Sequence, residues 1–582
     1  MVKAMAKGLK GVFLLPLRRL YFLMSFILLL YMILALRIAY FQVIKGQELA
    51  AQATAMRSQG IRLSEYSRGE ILDRNFQPLT GSYTSTALYG LPAEMRSSRS
   101  VSNEIYGRDT LQMTAEILGR ILNKQDSRKI QEQFRQAAQS GAAFVRIASD
   151  LSEAEIQRVL SRNLAGIAVA PLIKRYRQDG FCCHVLGYTG GYHNNEGQAG
   201  IEKRYDALLK KGNSPQELLS VYDARGAVIK GLNFKFYEEE DRARGSVVLT
   251  IDKRIQEIVE KEISAKVKSG AVVVMDVDSR EVLAMASRPS FNPYHIEYLL
   301  QHDQNSSLIN RALSRYHPGS LFKILVATAA LEENLVSERD KFHCSGKYFF
   351  NETQSTSCWK EEGHGELSFA QAFACSCNPS FIEVGQKLGR EKLLTYVDKL
   401  HLCDETLLGY AYHPGSYVRI NPGKIALSNA CLGQEGVMLS PLQITSLLAT
   451  VADDGLWQAP SLLRYTINSK GERSRIAASR KERVISPETA GKVQELMELV
   501  VSEGTGKNAA LAEIKVAGKT ASSETGNWKE DGEQSLDTWF GGYFPADNPR
   551  WVVLVLVQEG ESGAVDAAPV FKNIAREMLK IF

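Results

Sequence analysis

Hydrophobic and polar positions change their spacing several times along the chain, and each change marks an element. Residues 20–36 include no charged side chain, and beyond Arg37 the apolar character resumes through Ile38, Ala39, Tyr40, Phe41, Val43 and Ile44. About 20 such residues span a bilayer, and an arginine near one end snorkels to the headgroups, so a membrane helix is predicted at 20–41. From 42 to 245 short strand-like runs alternate with amphipathic helices, clearest at 109–122 and 153–164. From Ser246 the pattern reads strand (247–250), helix (252–268), then two β-rich runs, 271–276 and 281–287, about a polar turn at Asp278-Ser279. Downstream, 538–544 and 551–558 form a second hairpin, and 568–582 a closing helix. The long middle is helical, and 321–331 is apolar almost all round, as in a helix buried on most sides. Strands at both ends with helices between them predict one antiparallel sheet assembled from both ends of the domain, an α+β arrangement.

Composition is that of a globular protein, with 23% charged and 45% hydrophobic residues, and it excludes a disordered or low-complexity chain. The net charge of +5 equals the five charges of Lys3, Lys7, Lys10, Arg18 and Arg19. The remainder, residues 20–582, is neutral, with 65 basic and 65 acidic residues, so no basic surface argues for nucleic acid. The positive-inside rule keeps the basic tail in the cytoplasm and sends the rest outside. Ala51-Gln52-Ala53 looks like a signal-peptide cleavage site, but it lies too far past the apolar core, beyond Arg37 and Lys45, and an uncleaved anchor is the better reading. The expected partition is a tail (1–19), a span (20–41), an N-terminal domain (42–245) and a C-terminal domain (246–582). Of the eight cysteines, Cys344 and Cys358 bracket a hairpin with its tip near Phe349-Phe350-Asn351-Glu352 and are the best disulfide pair; buried free thiols account better for the others. No C-x-x-C pair or histidine cluster has ligand spacing, so neither metal nor cofactor is expected.

Chemistry concentrates in three places. In His317-Pro318-Gly319-Ser320-Leu321-Phe322-Lys323 a serine precedes a lysine by one helical turn at the head of the buried helix, where free N–H groups favour developing negative charge. The spacing alone is weak, since about two such pairs arise by chance in a chain this long, and Ser357 and Lys360 form a decoy. Ser376 and Asn378 supply S-x-N, for which Ser161/Asn163 and Ser290/Asn292 are decoys. Gly518-Lys519-Thr520-Ala521-Ser522 lies in a strand-like run; Glu513 stands where a phosphate-binding loop needs glycine, which removes that alternative.

S-x-x-K, S-x-N and K-T-small in this order resemble the motif set of penicillin-binding proteins and serine β-lactamases. Taken over its whole length, the chain resembles a class B penicillin-binding protein. Three further blocks, Arg68–Arg74, His184–Tyr188 and Gly200–Asp206, taken alone are better explained by turn punctuation and salt bridging inside a structural domain, but they are similar to that family's N-terminal signatures. Asn310-Arg311-Ala312, Gly433-Gln434-Glu435-Gly436 and Ser440-Pro441-Leu442-Gln443 resemble its transpeptidase landmarks. The resemblance implies an elongated non-catalytic pedestal and a transpeptidase domain whose antiparallel sheet has helices on both faces plus an all-helical subdomain. It implies a peptidoglycan D,D-transpeptidase acting on D-Ala-D-Ala stem peptides, acylated by β-lactams, and working beside a polytopic glycosyltransferase and other cell-wall synthesis proteins in division, elongation or sporulation.

In that scheme Ser320 is the nucleophile and Lys323 its base, with a pKa lowered by burial and by the Lys519 cation. Ser376 relays the proton to the leaving amine, and Asn378 holds the Lys323 amine or the substrate amide. Lys519 and Thr520 bind the terminal carboxylate, and the backbone N–H groups of Ser320 and Ser522 form an oxyanion hole worth roughly 3 kcal/mol per donor. The family usually has glycine at Ala521, so its methyl is expected either to narrow the cleft and alter β-lactam affinity or to be absorbed by a small shift of the strand. Rival readings are a β-lactamase, a membrane β-lactam sensor and a silent scaffold. No E-x-x-L-N run supplies a deacylating carboxylate, a sensor is expected to carry more spans or a signalling domain, and Glu240-Asp241 lacks the E-D-x-x-F continuation of a glycosyltransferase.

Overall fold

A computed structural model of the chain describes residues 17–46, 49, 58–66, 68–81, 83–91, 110–122, 126–140, 145–190, 196–210, 215–221, 235–237, 245–404, 406–408, 410–411, 417–528, 532 and 534–582. Most of the basic tail and Ala51-Gln52-Ala53 lie outside them. The apolar stretch forms helix α1 (Leu17–Ala39), continued by a π-helical turn over Tyr40–Ile44. The 25 residues from Leu20 to Ile44 would rise about 37 Å, more than the roughly 30 Å of a hydrocarbon core.

The chain divides into two compact units. One comprises Met1–Ser64, Ala87–Ala170 and Pro215–Glu239. In it, helices Thr110–Ile121, Ser127–Gln139 and Glu153–Ser161 and the strand Val145–Ser149 enclose a core of Leu88, Leu118, Ile130 and Phe134. Two stretches of the 42–245 segment, Glu65–Thr86 and Pro171–Ser214, belong instead to the unit that contains Glu240–Phe582. The N-terminal blocks meet there. Arg68 bonds Glu202 at 3.0 Å and Asp206 at 2.7 Å, Arg175 also pairs with Glu202, and Tyr176 donates to the same carboxylate at 2.9 Å. Glu202 is fully buried, so these partners offset the desolvation of its charge. His184 bonds the Ser307 carbonyl at 2.8 Å, and burial pushes its pKa down to about 4.

The larger unit is organised by a five-stranded antiparallel sheet. Its strands are β1 (Gly270–Asp276), β2 (Val282–Arg288), β3 (Ala517–Trp528), β4 (Gln534–Phe544) and β5 (Trp551–Gly560), in the order β2-β1-β5-β4-β3. Alternation sorts the side chains. Ala271, Val273, Leu554 and Leu556 join the cluster that holds helices α3 (Lys323–Glu332) and α5 (Pro441–Ala452), both buried almost throughout. Val272, Val274, Val553 and Val555 join a second cluster with α2 (Lys253–Lys266) and α6 (Ala568–Leu579). Burial on both faces explains why these strands read as continuous apolar runs. Helix α4 (Asn378–Leu388) belongs to the helical region between the two halves of the sheet. That region also carries two small hairpins, Lys341–Cys344 with Gly365–Ser368 and Lys347–Phe349 with Ser355–Ser357.

Candidate active site

Ser320 sits in a 3-10 turn, Gly319–Phe322, that runs directly into α3. Two close backbone approaches fix this turn. Gly319, at φ +54°, donates to the Gly433 carbonyl at 2.9 Å, and a Cβ on Gly433 would fall 2.1 Å from the Gly319 oxygen. A Cβ on Gly319 would reach the Ser522 carbonyl at 3.0 Å, so the nucleophile turn lies backbone to backbone against β3. On the next residues, Ser523 donates to the His317 carbonyl at 2.7 Å, and His317 Nδ1 meets the Val437 carbonyl at 2.7 Å.

The S-x-N motif is the junction of two helices. Phe369–Ala374 ends where the Cys377 N–H bonds the Ala372 carbonyl at 2.8 Å, and α4 starts at Asn378 with Pro379 behind it. Ser376 takes the left-handed conformation at this helix end, φ +57°, a place usually given to glycine. The hydroxyl that glycine would lack is fully used. Ser376 Oγ donates to Ser320 Oγ at 2.9 Å and accepts from Lys323 Nζ at 3.2 Å. Lys323 Nζ also donates to the Ser376 carbonyl at 2.9 Å and to Asn378 Oδ1 at 2.8 Å, and lies 5.4 Å from the centre of the Phe381 ring. Sequence reasoning put Lys323 directly on Ser320. In the structure its hydrogen bonds go to Ser376 and Asn378, and Ser376 carries the connection.

Burial brings the Lys323 pKa down from 10.5 to about 8. The expected help from Lys519 appears at the other amine: Lys519 is pushed well below its usual value by burial first and by the Lys323 cation second. Lys519 Nζ donates to the Thr520 carbonyl at 3.2 Å and lies 5.8 Å from the Phe373 ring centre. Thr520 Oγ1 shares a hydrogen bond with Thr505 Oγ1, a residue the motifs did not point to because it follows the helix Pro487–Ser502, far from any signature. Ser522 Oγ accepts from the Gly563 N–H at 3.2 Å, leaving its main chain to face Gly319. Ala521 shares a face of β3 with Lys519, but its methyl is only 4% exposed and belongs to the buried cluster of Leu321 and Trp539. It therefore packs into the core rather than into open cleft. Beside the site opens a cleft of about 880 Å³ lined by His317, Ser357, Asn378, Arg419, Gln434 and Glu524.

Ser320, Lys323, Ser376 and Asn378 thus form one hydrogen-bonded group against the strand that carries Lys519, Thr520 and Ser522. The decoy Ser357 and Lys360 stand exposed on a hairpin. A model of the penicillin binding protein transpeptidase domain matches residues 270–576, more than half of the chain. The chain belongs to the penicillin-binding protein transpeptidase family. A penicillin-binding protein dimerisation domain matches residues 64–235. Among the family's members, the chain is 29% identical to stage V sporulation protein D of Bacillus subtilis, over 97% of this chain and 85% of that one. It is 26% identical to peptidoglycan D,D-transpeptidase FtsI of Escherichia coli K12, over 94% and 88% of the two chains. A crystal structure of the D,D-transpeptidase domain of a peptidoglycan glycosyltransferase from Eggerthella lenta superposes with a TM-score of 0.57 at 27% identity, covering 71% of this chain and 93% of that one.

Proposed function

We propose that this protein is a membrane-anchored peptidoglycan D,D-transpeptidase that works through an acyl-enzyme on Ser320. The observation that carries the reading is the Ser320–Ser376–Lys323 hydrogen-bond chain beside a buried lysine on an edge strand. A neutral Lys323 amine has a lone pair to offer. Rotation of the Ser376 hydroxyl reverses its two bonds, so that it accepts from Ser320 and donates to Lys323, and the Ser320 proton reaches Lys323 as Oγ attacks the penultimate D-alanine carbonyl. The main-chain N–H groups of Ser320 and Ser522 hold the oxyanion. Collapse of the tetrahedral adduct breaks the peptide bond, the stored proton returns through Ser376 to the departing D-alanine amine, and the acyl group stays on Ser320. An amine of a second stem peptide then attacks the ester, which forms the cross-link and frees Ser320. Lys519 and Thr520 bind the terminal carboxylate; its negative charge restores the protonated form of Lys519 that burial disfavours. Asn378 and the main chain of Ala521 flank the bound peptide.

β-Lactams acylate Ser320 in place of the stem peptide. Residues 1–19 stay in the cytoplasm, 20–41 span the membrane, 42–245 form a pedestal apart from the stretches 65–86 and 171–214 that fold with the C-terminal unit, and 246–582 carry the transpeptidase outside. Glycan polymerisation belongs to a separate polytopic glycosyltransferase. Labelled penicillin should attach covalently to the purified protein, and Ser320→Ala should abolish attachment and cross-linking of stem peptides together. Attachment to Ser320→Ala, or rapid penicillin turnover by the wild type, would sink this reading.

A further inference from the structure

Three buried thiols and one imidazole converge behind the S-x-N motif. Cys344, Cys358 and Cys377 are 1%, 3% and 0% exposed, and with His364 they place their four ligand atoms within 4.8 Å of one another. All eight cysteines are free thiols, so the pair singled out as a disulfide, Cys344 and Cys358, is here two members of a foursome. His364 Nδ1 lies 3.6 Å from both Cys344 Sγ and Cys358 Sγ. Those distances have a simple geometric meaning. A tetrahedral ion held at about 2.3 Å by sulfur and about 2.05 Å by nitrogen sets each S···N edge at about 3.6 Å and each S···S edge at about 3.8 Å.

Tight backbone packing builds the cluster. A Cβ on Gly346 would strike the Glu361 carbonyl at 1.9 Å and one on Gly363 the Cys344 carbonyl at 2.2 Å, so the turn carrying His364 is pressed onto the end of the strand that carries Cys344. The Cys358 N–H bonds the Gly346 carbonyl at 2.8 Å. The fourth ligand arrives from elsewhere, since Cys377 is the middle residue of Ser376-Cys377-Asn378. Spacing along the sequence hid the set, because its members are spread from 344 to 377 with no C-x-x-C pair.

We propose that Cys344, Cys358, His364 and Cys377 bind one Zn²⁺ in a closed tetrahedral site that anchors the catalytic S-x-N junction to the neighbouring hairpins. Three thiolates and one imidazole are a donor set that suits zinc, and a fourth protein ligand leaves no open position for chemistry. Binding replaces three S–H protons by the ion, leaving a complex of net charge −1 and three protons in solution. Cys377 thereby fixes the main chain on which Ser376 and Asn378 meet Lys323. Two hydrogen bonds already tie the same elements, Asn378 Nδ2 to the Ser357 carbonyl at 3.1 Å and Trp359 Nε1 to the Cys375 carbonyl at 2.9 Å, and the ion completes that clamp.

The test is the metal content of the full-length protein, purified in detergent without chelator and then dialysed against Zn²⁺ and desalted, read by inductively coupled plasma mass spectrometry. Expected are one zinc per chain in wild type and in Cys431→Ser, and loss of zinc in Cys358→Ser and His364→Ala. Co²⁺ in place of zinc should give the visible bands of a tetrahedral thiolate site. Stripping wild type with a chelator should slow penicillin acylation by about tenfold or more, with recovery when zinc is returned, which separates the ion's role from misfolding of a variant. A metal-free wild type, zinc retained in both ligand variants, or a Cys344–Cys358 disulfide found by mass spectrometry would overturn the proposal, and none of these readings depends on the transpeptidase assignment.

Discussion

At the scale of single residues, Lys323 sets the pH dependence. With its pKa held near 8 by burial, about a tenth of the molecules carry the neutral amine at pH 7. The acylation rate constant for a penicillin should therefore rise about tenfold per pH unit below 8 and level off above it, and Lys323→Arg should be inactive throughout, because a guanidinium does not deprotonate. The same shift enters stability with a definite sign. Between about 8 and 10.5 the unfolded chain binds the proton that the folded chain has released, so this lysine makes the fold more stable as pH rises across that window. Ala521 carries two expectations, a narrowed cleft or a methyl that the strand absorbs, and its burial argues for the second. Its methyl is buried with Leu321 and Trp539, so Ala521→Gly should lower stability by about 1.5 kcal/mol, from one lost buried methyl and added backbone freedom. Acylation rates across several β-lactams should equal those of wild type. Stopped-flow labelling beside thermal melting checks both halves, and unequal rates would return the methyl to the cleft.

At the scale of elements, the helix–helix junction at Ser376 trades stability for chemistry. A non-glycine residue in the left-handed region costs about 1 kcal/mol, and the structure keeps one there because its hydroxyl joins Ser320 to Lys323. Ser376→Gly should raise the melting temperature by a few degrees while lowering acylation by about a hundredfold or more. An unchanged rate would remove Ser376 from the proton path. The elements of the sheet domain that the chain announced most clearly share one property, a nearly unbroken apolar run. Strands such as 271–276 and 551–558 and the helix at 321–331 stand out because nearly every position is apolar; the structure buries the strands between two clusters and the helix within one of them. The pattern predicted the two hairpins, β1 with β2 and β4 with β5, but left open how they join: β5 inserts between β1 and β4, bringing the two ends of the domain together, and no local signal encodes that pairing. The short strand Leu463–Ile467, which pairs with Ser246–Leu249, escaped notice because all five of its residues are half-buried. The site divides in the same way. Ser320, Lys323, Ser376, Asn378 and Lys519 were legible because motif spacing survives in one dimension, whereas the bridging position of Ser376, the Thr505 contact and the four-ligand cluster exist only once distant segments meet.

At the scale of the whole molecule, charge and hydrophobicity are segregated. Five cations precede the uncharged stretch that begins at Leu20, and the chain beyond them has balanced charge. Moving those cations through a bilayer is disfavoured, whereas the positive-inside bias leaves a neutral body free to cross, so the orientation proposed above puts the active site outside. Orientation and chemistry can be tested in one measurement, because the nucleophile itself reports which side it is on. In intact protoplasts, a membrane-impermeant fluorescent penicillin should label Ser320 to the same extent before and after lysis, and Ser320→Ala should remain dark in both. The apolar helix makes a second demand on the same preparation: the labelled protein should stay with the membranes through an alkaline wash, since a largely apolar stretch of 25 residues is held by burial in lipid and not by charge. Labelling that appears only after lysis would place the body in the cytoplasm and overturn the orientation while leaving the serine chemistry intact. Loss of labelled protein to the wash would instead overturn the anchor.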